Sequence, residues 1–339
     1  MKDKIPTIKE IADKLKVSVS TVSRALHDHP RIGMKTKEAV KKLAKELNFE
    51  PNPKAIFFKQ KKSFVIGVVV PRINEDFFSR AITGMETLAM DKGYTILFGQ
   101  SHDSYEKEKK VLEAMKKQRV DGLIISLSKE TNKYEHLNEL NKYDIPIVYF
   151  DRVPKMKNVN KVYCNLSKAT EDLIDWLHKK GKRRIPLING PDEIIASKER
   201  LEGYIEGISK KKIKVDMQLV EQTDLTEGGT YTAMEKLFTT KKQPDAVITF
   251  NDYVHFDAAQ WAFNHGIKIN KDVIFASFAN ILLMKYAAFP PAVSIDQFPN
   301  QQGYEAMHAL LEILDKPEDN EQVRKSFFDK EMPAVMVVH

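Results

Sequence analysis

Apolar residues near the amino terminus recur at helical spacing in short groups. The first group occupies residues 8–15 and follows Thr7, which forms a capping-box pattern with Glu10. The second occupies residues 22–26 and follows Ser18, a candidate N-cap. Because very few residues separate the two groups, the pattern predicts two helices joined by a tight turn, as in a helix-turn-helix unit.

A third amphipathic helix is expected from about residue 36 to residue 47, and the pattern changes after residue 63. Continuous apolar runs rich in Val and Ile, which indicate buried parallel strands, then alternate with helical stretches. The alternation restarts after Val162, so it predicts two doubly wound α/β lobes with a cleft at the carboxyl ends of their strands. The expected helices of these lobes span about residues 77–92, 105–118, 168–180, 198–210, 228–239 and 254–265.

Basic charge is concentrated at the amino terminus. The chain has a net charge of +7, but residues 1–62 alone hold 16 Lys and Arg against 7 Asp and Glu, a net charge of +9. Of the totals of 54 basic and 47 acidic side chains, the other residues carry 38 and 40, a net charge of −2. A basic arm on a near-neutral body is typical of a nucleic-acid-binding module. The alternative is an ordinary solvated basic surface.

Composition and motifs argue against several other classes of protein. No apolar run approaches the roughly 18 residues that a membrane span needs, and the charged start lacks the apolar core of a signal peptide. The single cysteine, Cys164, excludes an intramolecular disulfide and fits a cytoplasmic protein. No dinucleotide-binding, P-loop, zinc-protease or paired-cysteine motif is present, and His27 and His29 indicate a polar loop. We therefore expect no cofactor, no metal and no enzymatic activity.

The second predicted helix presents small polar side chains on its outer face. Its apolar seam points inward, which leaves a set suited to the major groove of DNA, where hydroxyl groups and an arginine reach bases and phosphates. Val19, the first residue of this helix, could pack on a thymine methyl group. The alternative is an ordinary Ser-rich surface helix. The candidate DNA-binding residues here are Thr7, Ser18, Val19, Ser20, Thr21, Ser23 and Arg24.

The stretch TIKEIADKLKVSVSTVSRAL, with NFEPNPKAIFF after the third helix, resembles the DNA-binding headpiece of the lactose-repressor family of bacterial transcription regulators. The resemblance implies a three-helix helix-turn-helix headpiece (1–50) and a hinge helix (51–62). A two-lobe effector and dimerisation domain (63–339) of the type I periplasmic-binding-protein fold follows them. By the resemblance, the first lobe spans about 63–163 and 295–326, and the second about 164–294 and 327–339.

The resemblance also implies a mechanism for the hinge. Asn52 would open a short helix that enters the minor groove, with Ala55 facing the DNA. Phe58 stands where the family has a wedging leucine, and phenylalanine is a known type of intercalating wedge. Ile56 stands where the family usually has Arg or Gln, which leaves the minor-groove preference open. The alternative is that residues 56–58 form an apolar linker packed on the body.

Six further positions match effector contacts of the family, each with an alternative. Two aromatic residues would line the first-lobe wall or lie in its core. An aspartate would accept hydrogen bonds from ligand hydroxyls or pair only with Arg152. Arg200 would donate two hydrogen bonds to ligand hydroxyls or to a carboxylate. Asn251 would bind the ligand or cap the next helix. Gln297 would add one polar contact. These residues are Phe77, Phe78, Asp151, Arg200, Asn251 and Gln297.

This chain departs from the family pattern around the expected cleft. Ala279 and Asn280 follow a strand after which the family often has an acidic residue, and Cys164-Asn165 replaces a frequent Asp-Asn pair. His255 and Phe256 stand where smaller residues are usual. We expect these changes to remove carboxylates and add bulk. The effector could therefore be a different sugar, an oligosaccharide or a sugar acid, or the site could have lost its ligand.

The sequence as a whole predicts a cytoplasmic, homodimeric transcription regulator. Family resemblance favours a repressor of carbohydrate-utilisation genes that binds a near-palindromic DNA operator and responds to a small-molecule effector, a sugar. Cys164 is interpreted as a packed residue and not as a redox switch. The alternative function is a small-molecule-binding α/β protein or enzyme with a non-specific basic arm.

Overall fold

The computed structural model describes residues 6–49, 62–315 and 327–339. The chain divides into two compact units, Met1–Ser63 and Phe64–His339, one residue away from the expected start of the effector domain. The expected hinge at 51–62 lies almost wholly outside the described residues, so that assignment stays a prediction. Among the described residues, no helix combines the length and the apolar character that crossing a bilayer requires.

The first unit contains the three expected helices: α1 (Ile8–Leu15), α2 (Val19–Leu26) and α3 (Met34–Glu46). The capping box is confirmed, because Thr7 accepts from the backbone N–H of Glu10 and Glu10 accepts from that of Thr7. Lys16 takes a left-handed conformation, which lets the chain turn directly into α2. The buried core of this unit consists of Ile11, Ala12, Val22, Ala25, Val40 and Ala44.

The second unit is built on two six-stranded sheets, as the alternation of strands and helices predicts. The first sheet has the order β11-β5-β4-β3-β1-β2 and is parallel throughout. Its strands are β1 (Val65–Val70), β2 (Thr95–Gln100), β3 (Gly122–Ile125), β4 (Ile147–Phe150), β5 (Asn160–Cys164) and β11 (Asp329–Met332). The second has the order β12-β10-β9-β8-β6-β7, with only β12 antiparallel. Its strands are β6 (Leu187–Asn189), β7 (Val220–Gln222), β8 (Ala246–Thr249), β9 (Ile274–Phe278), β10 (Val293–Asp296) and β12 (Val335–Val338).

The helices of this unit begin within a few residues of their predicted positions. The one between β3 and β4 is short and continues as a 3₁₀ turn, Glu139–Tyr143. The α-helices are α4 (Asp76–Asp91), α5 (Tyr105–Gln118), α6 (Glu135–Asn138), α7 (Leu166–Lys179), α8 (Ile195–Lys210), α9 (Glu227–Phe238), α10 (Asp252–Asn264) and α11 (Pro299–Leu314).

The chain crosses between the lobes three times, and this corrects two expected boundaries. The expected assignment of residues 327–339 to the second lobe is wrong for β11, which pairs with β5 at the edge of the first sheet. Met332 at its end is buried in the first-lobe core, and that burial favours the pairing. β10 lies wholly in the second sheet, so the return crossover begins at Gln297 and not at residue 295.

Helices α4 and α11 pack against each other on the first sheet at very close range. A β-carbon at Gly303 would overlap the backbone carbonyl of Ala81, and one at Gly84 would overlap that of Asn300. Only glycine allows the two backbones to approach so closely. The first lobe is therefore closed by a helix from the amino-terminal part of the unit and one from its carboxyl-terminal part.

Candidate DNA-binding surface and effector site

The start of α2 is held by a network of hydroxyl groups. Ser18 Oγ lies 2.8 Å from both Ser20 Oγ and Thr21 Oγ1, and it accepts a hydrogen bond from the Thr21 backbone N–H. The cap therefore satisfies a backbone donor at the helix start and fixes the helix relative to its neighbours. Ser18 and Ser20 are exposed and remain accessible, whereas Thr21 is half-buried.

Two side chains of α2 are left free for recognition. Val19 is 40% exposed, and the exposed side chain of Arg24 makes no hydrogen bond or ion pair with another described residue. Ser23 is half-buried one residue before Arg24. Val19, Ser20, Thr21, Ser23 and Arg24 thus lie on α2, with an apolar side chain at its start and a cation near its end, whereas Ser18 caps α2 and Thr7 caps α1.

The turn after α2 is polar, and its side chains bond to α2, to α3 and within the turn. His27 Nδ1 lies 2.8 Å from the Ser23 carbonyl, and Asp28 forms an ion pair of 2.6 Å with Lys41 on α3. His29 Nδ1 accepts from the backbone N–H of Arg31. In the described parts of the chain, no group of three or more His, Cys, Asp or Glu side chains could hold a metal ion. The predicted hinge contacts Asn52, Ala55 and Phe58 lie outside the described residues.

Asp151 lies in the first lobe and Arg200 on α8 of the second, near enough that each charge shifts the pKa of the other. Asp151 directly follows β4 in a left-handed conformation (φ 58°), and its Oδ2 accepts from Ser126 Oγ at 3.1 Å. Burial raises the pKa of Asp151, while the neighbouring cations Arg152 and Arg200 lower it. The carboxylate therefore retains capacity to accept further hydrogen bonds.

Arg200 is the most constrained cation of this region. It is 4% exposed, and its guanidinium carbon lies 4.2 Å from the ring centre of Phe250 and 4.4 Å from that of Phe278. Its Nε and Nη1 have no hydrogen-bond partner among the described residues. Burial lowers the pKa of Arg200 to about 10, so it stays charged at neutral pH. A buried cation held by two rings with free donors suits an acceptor-rich ligand.

The other four predicted effector residues serve local structure. Phe78 is buried in the first-lobe core edge-on to Phe150, and half-buried Phe77 packs edge-on against it at 5.3 Å. Asn251 caps α10 by accepting from the Val254 N–H, which is the alternative considered for it. The buried Gln297 offers its backbone carbonyl to Gln302 at 2.7 Å. Their roles as ligand contacts stay predictions.

The expectation that His255 adds bulk to the cleft is wrong. Its ring is buried in the second lobe against Phe275, on the same face of α10 as Ala258 and Ala262. Burial lowers the pKa of His255 to about 4, so the neutral ring donates from Nε2 to the Phe289 carbonyl at 2.8 Å. The residue therefore packs α10 against its sheet.

Sequence reasoning missed the residue that holds the loop after β9. Ala279 (φ 98°) and Asn280 (φ 49°) both have left-handed backbones, which disfavour side chains. Buried Asp252 accepts from the Ile281 N–H at 2.8 Å and from Ser294 Oγ at 3.2 Å, and so offsets that strain. The Asn280 carbonyl in turn faces Arg80 Nη1 of the first lobe at 3.4 Å. The only sequence signal for this role of Asp252 is that it directly follows Asn251, the cap residue of α10.

Sequence comparisons match both units of the chain. Residues 7–52 match bacterial regulatory proteins of the lacI family, and residues 66–318 match the periplasmic binding protein domain. The HTH-type transcriptional repressor CytR of Escherichia coli strain K12 is 30% identical over 308 residues, which is 91% of this chain and 89% of CytR. The HTH-type transcriptional repressor PurR of Vibrio cholerae is 27% identical over 321 residues, 95% and 94% of the two chains.

Solved structures with the same fold include two bound regulators. The lac repressor dimer bound to operator and the anti-inducer ONPF has a TM-score of 0.84 at 21% identity, covering 98% of each chain. A complex of the transcriptional regulator CelR with cellobiose has a TM-score of 0.70 at 24% identity, again covering 98% of each chain. The resemblance read from the headpiece is confirmed, and the relatives are repressors, not enzymes. The chain is a DNA-binding transcription regulator that belongs to the lacI family.

Proposed function

We propose that this protein is a cytoplasmic repressor of carbohydrate-utilisation genes. It binds a near-palindromic operator as a homodimer, and a sugar in the interlobe cleft changes its operator affinity. The observation that carries the DNA-binding part is the α2 surface, where Val19 and Arg24 are free on a basic arm of net charge +9. Arg24 would read base edges, and the capped hydroxyls of Ser18 and Ser20 would reach phosphates.

Arg200 supports the effector part of the proposal. Its unpaired Nε and Nη1 would donate to ligand oxygens, while Asp151 would accept from ligand hydroxyls. The two residues come from opposite lobes, so one ligand would bridge them and favour a closed arrangement. A ligand can shift the balance between the open and closed arrangements only by as much as its affinities for the two differ. The relative solved with cellobiose agrees with a sugar effector.

An exposed apolar patch on the second lobe supports the homodimer. Leu282 and Leu283 are more than half exposed, and Tyr286 is 86% exposed. These side chains share one 3₁₀ turn, Leu282–Tyr286, and exposed apolar groups of this size are often covered by protein partners. A second copy is the proposed occupant, since a relative of the same fold is solved as a dimer.

Mapping the protein on its own genome, with and without a change of carbon source, tests the proposal. Sharp occupancy over a palindrome that responds to the carbon source is the expected result. The neighbouring genes would then identify the regulated pathway. Diffuse occupancy that ignores the carbon source would instead favour a small-molecule-binding protein with a non-specific basic arm.

A further inference from the structure

Three hydrogen-bond donors converge on one buried carboxylate of the first lobe. Glu108 lies on α5 and is fully buried. Its Oε2 accepts a hydrogen bond from the backbone N–H of Ser128 at 2.7 Å, and its Oε1 accepts one from Thr131 Oγ1 at 2.8 Å. His136 Nε2 lies 2.8 Å from the same Oε1. An ionised carboxylate only accepts hydrogen bonds, so its two oxygens satisfy all three donors.

Two of these donors belong to the loop after β3 (residues 126–131, the β3 loop). Within it, the Thr131 N–H donates to the Ser128 carbonyl at 3.1 Å, and the two hydroxyl oxygens lie 3.2 Å apart. The third donor, His136, belongs to α6, and the ring of Tyr105 packs edge-on against it with centroids 4.8 Å apart. Glu108 therefore joins α5, the β3 loop and α6.

The first residues of the β3 loop hold Asp151. Ser126 Oγ donates to Asp151 Oδ2 at 3.1 Å and accepts from the Arg152 N–H at 3.4 Å. The Leu127 N–H donates to the Arg152 carbonyl at 3.1 Å. Ser126 and Leu127 are both fully buried. Three hydrogen bonds thus fasten the loop to the two residues that follow β4.

Consecutive residues connect this fastening to Glu108. Ser126 and Leu127 bond to residues 151–152, and the next residue, Ser128, donates its backbone N–H to Glu108. One planar peptide unit separates the two sets of bonds, so a displacement of Ser128 is passed directly to Leu127. The path from Glu108 to Asp151 therefore contains no freely rotating stretch of chain.

Asp151 depends on this support. Its left-handed backbone (φ 58°) is a conformation that residues with a β-carbon seldom adopt. Among the described residues, Ser126 is the one hydrogen-bond partner of its carboxylate. Asp103 strengthens the same region, because it accepts from the Lys129 N–H at 3.2 Å and pairs with Arg152. The orientation of the Asp151 carboxylate is thus set by the β3 loop.

We propose that Glu108 is a positioning residue of the effector site, which acts through the β3 loop to hold the Asp151 carboxylate where it accepts from ligand hydroxyls. This role rests on the proposed function of Asp151 in effector binding and adds a residue that is itself too deeply buried to touch the ligand. A purely structural role would make Glu108 matter for folding alone. A positioning role makes a change at Glu108 detectable at residues 151–152 and in ligand affinity.

Amide hydrogen exchange of the full-length protein, resolved to single residues, tests the coupling without a ligand. Glu108→Gln turns one acceptor oxygen into an amino group that faces a donor. Exchange at Ser128 and Arg152 should become about tenfold faster relative to the amides of β1, which report opening of the whole lobe. Glu106→Gln, the same change at an exposed position of α5, should alter neither ratio. Leu173→Ala, in the core of the second lobe, should lower stability and also leave both ratios unchanged.

A matched pair of variants at Thr131 repeats the test from the other side of the contact, and it decides the question if Glu108→Gln does not fold. Thr131→Val removes the hydroxyl group that donates to Glu108, whereas Thr131→Ser keeps it. Exchange at Arg152 should become faster in the first variant and stay unchanged in the second. Faster exchange at Ser128 with unchanged exchange at Arg152 would show that residues 151–152 are held independently, and it would overturn the proposal.

Calorimetric titration with glucose, galactose, ribose and cellobiose tests the effect on binding. A sugar that binds the natural protein should have a Kd about tenfold higher in Glu108→Gln. The double variant with Asp151→Asn should bind no more weakly than Asp151→Asn alone, because Glu108 acts through that carboxylate. Additive losses would contradict this path and overturn the proposal.

The two proposals fail in distinguishable ways. A sugar that releases the protein from DNA and binds Glu108→Gln with an unchanged Kd would leave the proposed function standing and overturn the positioning role. Coupled exchange at Ser128 and Arg152, with no binding of any of the four sugars, would support the hold of Glu108 on Asp151 and count against a sugar effector.

Discussion

The side-chain amide of Gln302 donates to the backbone carbonyl of Gln297 at 2.7 Å. The same Nε2 lies 3.3 Å from Cys164 Sγ, and that thiol lies 3.8 Å from the Pro333 carbonyl. Cys164, Gln297 and Pro333 belong to the three segments that cross between the lobes. One buried glutamine of α11 therefore ties the crossovers together at the hinge of the effector domain. Burial raises the pKa of the Cys164 thiol to about 12, so it stays protonated and acts as a donor.

Replacing this glutamine should loosen the hinge. Gln302→Met keeps the volume but removes the donor to Gln297, which should lower the free energy of unfolding by about 1–2 kcal/mol. The substitution also removes the buried Gln302 Oε1, which has no hydrogen-bond partner among the described residues. Removing this unfavourable burial reduces the expected loss of stability. Urea unfolding measures the change. Gln301→Met, on the exposed side of α11, is the control, and equal stabilities of the two variants would contradict the hinge role.

The pH dependence of stability should report Glu199. Its folded pKa of about 7 lies above the ordinary value of 4.5, so its contribution is fully present below pH 4.5 and is lost as the pH rises to 7. Glu199→Gln should therefore gain stability relative to the natural protein across that window, on the order of 2 kcal/mol. Denaturant unfolding at pH 5 and pH 8 measures this. A parallel pH profile for the two proteins would show that the carboxylate is solvated.

Operator recognition should depend on Arg24 more than on other cations of the headpiece. Arg24→Ala removes a free side chain on the face of α2 and should weaken specific binding by about 1–3 kcal/mol, while non-specific binding largely persists. Lys45→Ala, an exposed cation on α3, is the control. Fluorescence anisotropy with operator and scrambled duplexes at several salt concentrations separates the two. Equal losses on both duplexes would assign Arg24 to phosphate contact.

The close contact of α4 and α11 should not tolerate a methyl group. Gly303→Ala would push a β-carbon into the Ala81 carbonyl and should cost about 1–3 kcal/mol of stability. Gly228→Ala is a control of opposite sign, because that helical glycine faces open space and alanine favours a helix by up to about 1 kcal/mol. Relative to the natural protein, the melting temperature should fall in Gly303→Ala and rise in Gly228→Ala. A neutral Gly303→Ala would mean that the helices separate at little cost.

Dimerisation should depend on the apolar turn of the second lobe. Leu282→Lys places a charge within the exposed patch and should shift the protein toward monomers in sedimentation velocity experiments. Met90→Lys changes another exposed apolar residue, on α4, and is the control. A dimer that survives Leu282→Lys but not Met90→Lys would move the interface to the first lobe.

Local sequence signals predicted most elements well, because caps and apolar periodicity act over a few residues. Thr7 and Ser18 mark the starts of α1 and α2, and α5 spans the predicted residues 105–118. The partner of β11 was not predictable in this way. Its sequence DKEM has little apolar character, and its place depends on the open edge of β5, more than 160 residues earlier.

The candidate site was predicted only in part, for a similar reason. Asp151 and Arg200 follow from family positions, and in the structure each lies within the electrostatic influence of the other from the opposite lobe. The electrostatic effect of Asp151 on Glu199 depends on how the lobes meet, and nothing in the sequence distinguishes Glu199 from a solvated carboxylate. His255 was expected in the cleft because of its position in the family pattern. In the structure, it lies on the face of α10 that points toward Phe275.

The exchange of β11 and β12 between the sheets has a consequence for dissecting this protein. Each lobe is assembled from separate stretches of chain, so neither could be expressed as one continuous fragment. Deleting the last eleven residues would strip an edge strand from both sheets at once. A partial defect confined to one lobe would therefore be hard to produce by truncation. The effector domain should instead melt in a single cooperative transition and be cleared by proteases as a whole.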